Sequence, residues 1–110
     1  MTDLLLLAPK DEFYSMVDEA RKSNFNVLDI YQPMLLKMRF EDRINVFRGR
    51  MMSAKGVIIH PHTPLSLFYL GLAYEARSGK GIVWLSGLEY EVDFNVEWRK
   101  DFGEALKLFQ

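Results

Sequence analysis

The 110-residue chain predicts one α/β domain spanning residues 1–110, with helices on both faces of a four- to five-stranded, mainly parallel sheet. Three observations predict it. Short apolar runs of strand length alternate with longer segments whose apolar residues recur at helical spacing. The connections between them are brief. No internal repeat, low-complexity tract or Pro/Gly/Ser-rich linker divides the chain, and its length suits one domain of ~100–150 residues.

Asp3–Ala8 (DLLLLA) is a continuous apolar run, the pattern of a strand covered on both faces. Pro9 and Lys10 break it. Phe13, Met16, Val17 and Ala20 then form a helical stripe, with Asp11 and Glu12 in the first turn, where the helix dipole favours acids. Phe25–Ile30 (FNVLDI) reads as a second strand that Pro33 ends. Phe40, Ile44, Phe47 and Met51 space a second helix. Gly56–His60 (GVIIH) is a third, β-branched strand. Thr63-Pro64 starts a helix, with Thr at the N-cap and Pro at the first helical position. Leu65, Phe68, Tyr69, Leu72, Ala73 and Ala76 share one face of it. Ser78-Gly79-Lys80-Gly81 stops that helix, and Ile82–Ser86 (IVWLS) is a fourth buried strand. Tyr90, Val92, Phe94, Val96 and Trp98 alternate with polar residues, as in a half-exposed edge strand. Trp98, Phe102, Ala105, Leu106 and Phe109 close the chain helically. This alternation, with right-handed crossovers, describes a flavodoxin-like or small Rossmann-like three-layer domain.

Composition narrows the function classes. With 49% hydrophobic and 26% charged residues the chain reads as a soluble globular domain. Cysteine is absent, which excludes disulfides, thiolate metal centres and thiol nucleophiles. No apolar run approaches the ~20 residues that cross a bilayer, and Met1–Ala8 carries an acid and no basic start. A net charge of −1 argues against nucleic-acid or membrane-surface binding, so a cytoplasmic location is expected.

In open parallel sheets ligands bind outside the carboxyl ends of the strands. That rule selects the loops Pro9–Asp11, Tyr31–Pro33, His60–Ser66 and Ser86–Tyr90. It makes Pro9, Lys10, Tyr31, His60, His62, Thr63, Ser66 and Ser86 candidate ligand-binding residues. No GxGxxG or P-loop motif occurs, so neither a dinucleotide nor ATP is expected, and no cofactor is assigned. His60 and His62 share a face of an extended segment, but no third ligand stands beside them in sequence, so no metal is assigned. The helix from Pro64 directs its free N–H groups at the same region, where Thr63 and Ser66 add hydroxyls. Lys37–Lys55 holds six bases against Glu41 and Asp42, whereas residues 89–110 hold six acids against three bases. Arg43 of that basic helix is the candidate for an anionic ligand group. Met34, Met38, Met51 and Met52 cluster around the second helix, where they suit core packing or a homodimer face.

Some segments resemble the nucleoside 2-deoxyribosyltransferase-like superfamily, which also holds deoxynucleoside monophosphate N-glycosidases. They are Leu6-Leu7-Ala8-Pro9, Ile30-Tyr31-Gln32-Pro33, Ala54–Ile59, Ser66–Ala73 and Gly79-Lys80-Gly81-Ile82-Val83. Together they span about residues 3–87. The resemblance implies a three-layer α/β fold and a nucleoside or nucleotide as ligand. The chain departs from the family at the acids. Tyr69 stands at the nucleophilic glutamate, Thr63 at the aspartate six residues earlier, and Lys55 at the acid before the third strand. A phenol with pKa ~10 is a poor substitute for a carboxylate nucleophile at neutral pH. Tyr69 therefore reads as a packing or ligand-contacting residue.

The expected function is non-catalytic binding of a nucleoside- or nucleotide-like molecule, or oligomeric interaction. The alternative is cleavage or transfer at an N-glycosidic bond with a relocated acid, for which Glu89 and Asp42 are the candidates.

Overall fold

In the computed structural model, which describes residues 3–61, 63–85 and 98–110, the chain runs β1 (Leu4–Leu7), α1 (Lys10–Lys22), α2 (Pro33–Leu36), α3 (Phe40–Ser53), β2 (Gly56–Ile59), α4 (Pro64–Arg77), β3 (Ile82–Trp84) and α5 (Trp98–Leu108). The strands form one open parallel sheet in the order β1-β2-β3, with Leu4 opposite Gly56 and Val57 opposite Ile82. Successive side chains of a strand point to opposite faces. Leu4–Leu7 and Val57–Ile59 are all at most 2% exposed, so both faces of β1 and β2 are covered. α1 packs against β1 and α5, and α4 packs against β2, β3 and α3. Phe13, Met16, Val17 and Ala20 of α1 are buried, as are Ile44, Phe47 and Met51 of α3.

The described residues hold three strands rather than the four to five expected. Phe25–Ile30 does not form the second strand. Only Val27 pairs in parallel with Leu4, on the edge of β1 away from β2. Local polar bonds compete with the ladder here. Asn24 takes a positive φ of 67° and ends α1 in a Schellman arrangement, with Phe25 N–H donating to the Ala20 carbonyl and Asn24 N–H to that of Arg21, both at 3.0 Å. Asp29 then accepts the Tyr31 N–H on Oδ1 at 2.8 Å and turns the chain. Pro33 does not simply stop a strand but opens the one-turn helix α2. Among the described residues β3 is the edge of the sheet, and Ile82–Trp84 are half-buried rather than buried. The alternating stretch from Tyr90 to Glu97 lies outside the described residues.

The predicted stripe of α4 divides. Leu72 and Ala73 are buried, whereas Leu65 and Phe68 are exposed, as is Phe40 at the start of α3. Phe40 and Phe68 meet each other, ring centroids 5.9 Å apart. The methionines divide too: Met51 is core, Met38 packs against it in part, and Met34 and Met52 are exposed.

Arg77, in the last turn of α4, ties three segments together. Its guanidinium donates to the carbonyls of Met51 (2.6 Å), Ala54 (2.5 Å), Lys55 (3.1 Å) and Lys80 (2.7 Å). It thereby occupies carbonyls at the end of α3 that the helix leaves without partners.

Candidate functional site

A cavity of about 260 Å³ opens at the carboxyl end of β1. Leu7 and Ala8 form its floor. Ile30 and Tyr31 come from the turn set by Asp29, and Leu36 from α2. Arg43 and Phe47 stand on one face of α3, and Thr63, Leu65 and Tyr69 on the first two turns of α4 and its cap. The wall is mostly apolar, with two phenols, one hydroxyl and one guanidinium set into it. Among the described lining residues there is no carboxylate.

The polar groups differ in how far they are already engaged. Tyr31 donates its hydroxyl to the Ala8 carbonyl, which locks the ring across the floor, and stacks edge-on against Phe13 at 5.1 Å. Burial pushes the Tyr31 phenol above its ordinary pKa, with Tyr69, Tyr14 and Asp11 adding to the effect. Tyr69 sits edge-on to Phe47 at 5.6 Å. Burial raises its pKa as well, opposed by the charge of Arg43. Both phenols are therefore neutral at physiological pH. Arg43 donates through Nη2 to the carbonyls of Met38 (3.3 Å) and, marginally, Leu36 (3.5 Å).

Of the residues expected from sequence, Tyr31, Arg43, Thr63 and Tyr69 meet at this cavity. The others do not. Pro9 is the N-cap of α1 and Lys10 is exposed at its first position, neither of them in the wall. Ser66 is buried beneath Thr63 as its capping-box partner, accepting the Thr63 N–H at 3.4 Å. His60 is 3% exposed and not in the wall, its Nε2 3.2 Å from Oε2 of Glu12. Asp42 faces outward and pairs with Arg39 at 3.1 Å. His62, Ser86 and Glu89 lie outside the described residues.

The basic run divides: Arg39 is paired with Asp42, Arg48 lies 4.0 Å from Glu75, Lys37, Arg50 and Lys55 are exposed, and only Arg43 reaches the cavity. Sequence reasoning missed Leu36 and Phe47 as wall residues and Glu12 as the partner of His60. Phe47 had a signal, since it follows Arg43 by one helical turn and so shares its face. Among the described residues no three His, Asp or Glu side chains gather to hold a metal ion, and no helix is long and apolar enough to cross a membrane. Comparison with protein-family models, curated proteins and solved structures returned no match to this chain.

Proposed function

We propose that this chain is a non-catalytic small-ligand-binding protein that takes a nucleoside- or nucleotide-like molecule in the cavity between β1, α3 and α4. The scaffold we infer is a flavodoxin-like three-layer domain akin to the nucleoside 2-deoxyribosyltransferase-like group. The pairing of Val27 with the free edge of β1 supports that kinship, because it extends the order to Val27-β1-β2-β3, the strand order of flavodoxin-like sheets. One observation carries the binding reading. Four polar side chains picked out by sequence converge on one apolar hollow at the carboxyl edge of the sheet, and the position of the family's nucleophile is a neutral, half-buried phenol. The test is thermal denaturation against a panel of nucleosides and nucleotides. A bound member at 100 times its dissociation constant adds ~2.7 kcal/mol of stability. Absence of any shift across the panel rejects the reading.

A second reading, hydrolysis or transfer at an N-glycosidic bond, has one observation in its favour. Glu12 enters at the first turn of α1 with its carboxylate held against buried His60, an acid beside an imidazole at the carboxyl ends of β1 and β2. Release of base from a deoxynucleoside monophosphate that disappears in Glu12→Gln and persists in Tyr69→Phe is the outcome that establishes it.

Self-association belongs to the same proposal. Its face is the exposed apolar surface of α2, the start of α3 and the start of α4, where Met34, Leu36, Phe40, Leu65 and Phe68 are all at least 43% exposed.

A further inference from the structure

We propose that the cavity selects a small monoanion with an apolar body, most simply a one-ring carboxylate, and that Arg43 is the residue that reads its charge. This rests on the reading that the cavity holds a small ligand, and departs from it in ligand class, a one-ring monoanion taking the place of a nucleotide. The observation behind it is a guanidinium without a counter-ion. Among the described residues, Arg39 at the cap of α3 and Arg48 within it each have a carboxylate within 4.0 Å, and unpaired Arg50 is exposed to water, whereas part-buried Arg43 has no carboxylate within that distance. Its Nη2 spends its protons on backbone carbonyls, and its Nε is shielded from solvent with no acceptor among the described residues. A part-buried cation facing apolar walls is costly to leave uncompensated. An anion in the cavity supplies the missing charge, and Nη1, which has no acceptor among the described residues, is the nitrogen left to make a charge-assisted bond to a carboxylate oxygen.

Charge counting sets the valence. Arg43 is the sole cation among the described lining residues, and the two phenols beside it are neutral, that of Tyr31 already donating to the Ala8 carbonyl. One negative charge is matched; a second has no partner on the wall. The space sets the size. At ~30 Å³ for each liquid water, a hollow of about 260 Å³ displaces roughly nine of them. One aromatic ring with a short acidic arm fills that volume, resting on Phe47 and Tyr69. The sugar and phosphate of a nucleotide extend beyond it.

Isothermal titration calorimetry on the full chain tests this with four probes: phenylacetate, its neutral isostere phenylacetamide, thymidine and thymidine 5′-monophosphate, whose phosphate is largely dianionic above its second pKa of ~6. Phenylacetate is expected to bind at least about tenfold more tightly than phenylacetamide, and more tightly than the nucleotide. Arg43→Gln should bring acid and amide to equal affinity, and Arg43→Lys should keep part of the difference. Equal affinity for acid and amide in the natural chain overturns the proposal, as does a preference that survives Arg43→Gln. If the Gln variant does not fold, the acid-to-amide ratio of the natural chain decides alone. Binding of thymidine or its monophosphate without phenylacetate rejects the monoanion and leaves the ligand reading standing. Binding of none of the four rejects both.

Discussion

The ring of Phe109 occupies the space that a β-carbon on Gly56 would need, so the first residue of β2 is bare because an aromatic from beyond α5 lies on it. The contact anchors the chain's last turn to the sheet. Gly56→Ala forces Phe109 out or shifts the strand, an overpacking that costs about 1–3 kcal/mol. For a domain near this size that lowers Tm by roughly 4 °C per kcal/mol. Urea denaturation of Gly56→Ala, Phe109→Ala and the double variant checks it. The double variant should lose less than the sum of the two single losses, and strict additivity would show that the two residues do not touch.

Arg77 and Gly81 form a second such pair. Gly81 has φ of +66°, and an added β-carbon there would lie 2.6 Å from an Nη of Arg77. Gly81→Ala therefore combines backbone strain with displacement of the guanidinium that joins the end of α3 to the turn after α4. Removing the clamp by Arg77→Ala leaves carbonyls without donors and is expected to cost about 2–3 kcal/mol. Gly81→Ala placed in the Arg77→Ala background should then cost only the strain, roughly 1 kcal/mol. Denaturant midpoints of the three variants measure the coupling.

The two phenols of the cavity set an alkaline limit. Burial raises both pKa values above the ordinary ~10, so the unfolded chain loses these protons before the folded one does. Because the unfolded state then binds fewer protons, stability is intact below about pH 10 and falls as pH rises beyond it. Urea midpoints between pH 8 and pH 11 should show that decline, and Tyr31→Phe with Tyr69→Phe should flatten it. Arg43→Gln removes the charge that opposes the shift at Tyr69, so the absorbance titration of that phenol should move further upward.

What the chain's pattern reveals follows from which interactions are local. The leucine run of β1 and the Val57–Ile59 run of β2 are legible because strands covered on both faces have no polar alternation to disguise them. Phe25–Ile30 misleads because its apolar residues suit a strand while Asn24 and Asp29 turn the backbone at either end. The buried face of α4 is illegible from spacing alone, since Leu65, Leu67, Phe68 and Tyr74 make the helix apolar nearly all round. The cavity was legible through topology only in part. Carboxyl-end loops of a parallel sheet converge, and that rule named Tyr31 and Thr63, whereas Tyr69 came from the family resemblance and Arg43 from the basic run. The Glu12–His60 pair was not legible, because it depends on β1 lying beside β2, which no short-range pattern encodes.

The exposed aromatics make self-association measurable. Phe40 and Phe68 touch across α3 and α4 while each remains nearly half exposed, at 48% and 46%. Phe68→Lys places a charge within that face and leaves the core residues Leu72 and Ala73 of the same helix untouched. Sedimentation velocity should show the natural chain associating with concentration and Phe68→Lys remaining monomeric. A natural chain that stays monomeric at high concentration rejects the face as an interface.

Glu12 and His60 allow the last separation, between a structural and a chemical role for the same pair. His60 is almost fully buried, and Glu12 joins the first turn of α1 to the end of β2 through it. Glu12→Ala removes a partner from a buried imidazole and is expected to cost about 1–3 kcal/mol. Neither residue lines the cavity, so binding of a small ligand there should change by less than about threefold in a variant that remains folded, a difference under ~0.7 kcal/mol. Glu12→Gln keeps a hydrogen-bonding side chain of the same length and should retain most of the stability. Thermal melts and ligand titrations on both variants read the two roles separately. A large loss of affinity in Glu12→Gln at nearly natural stability would move the carboxylate from the frame of the site to its chemistry, and with it the balance between binding protein and enzyme.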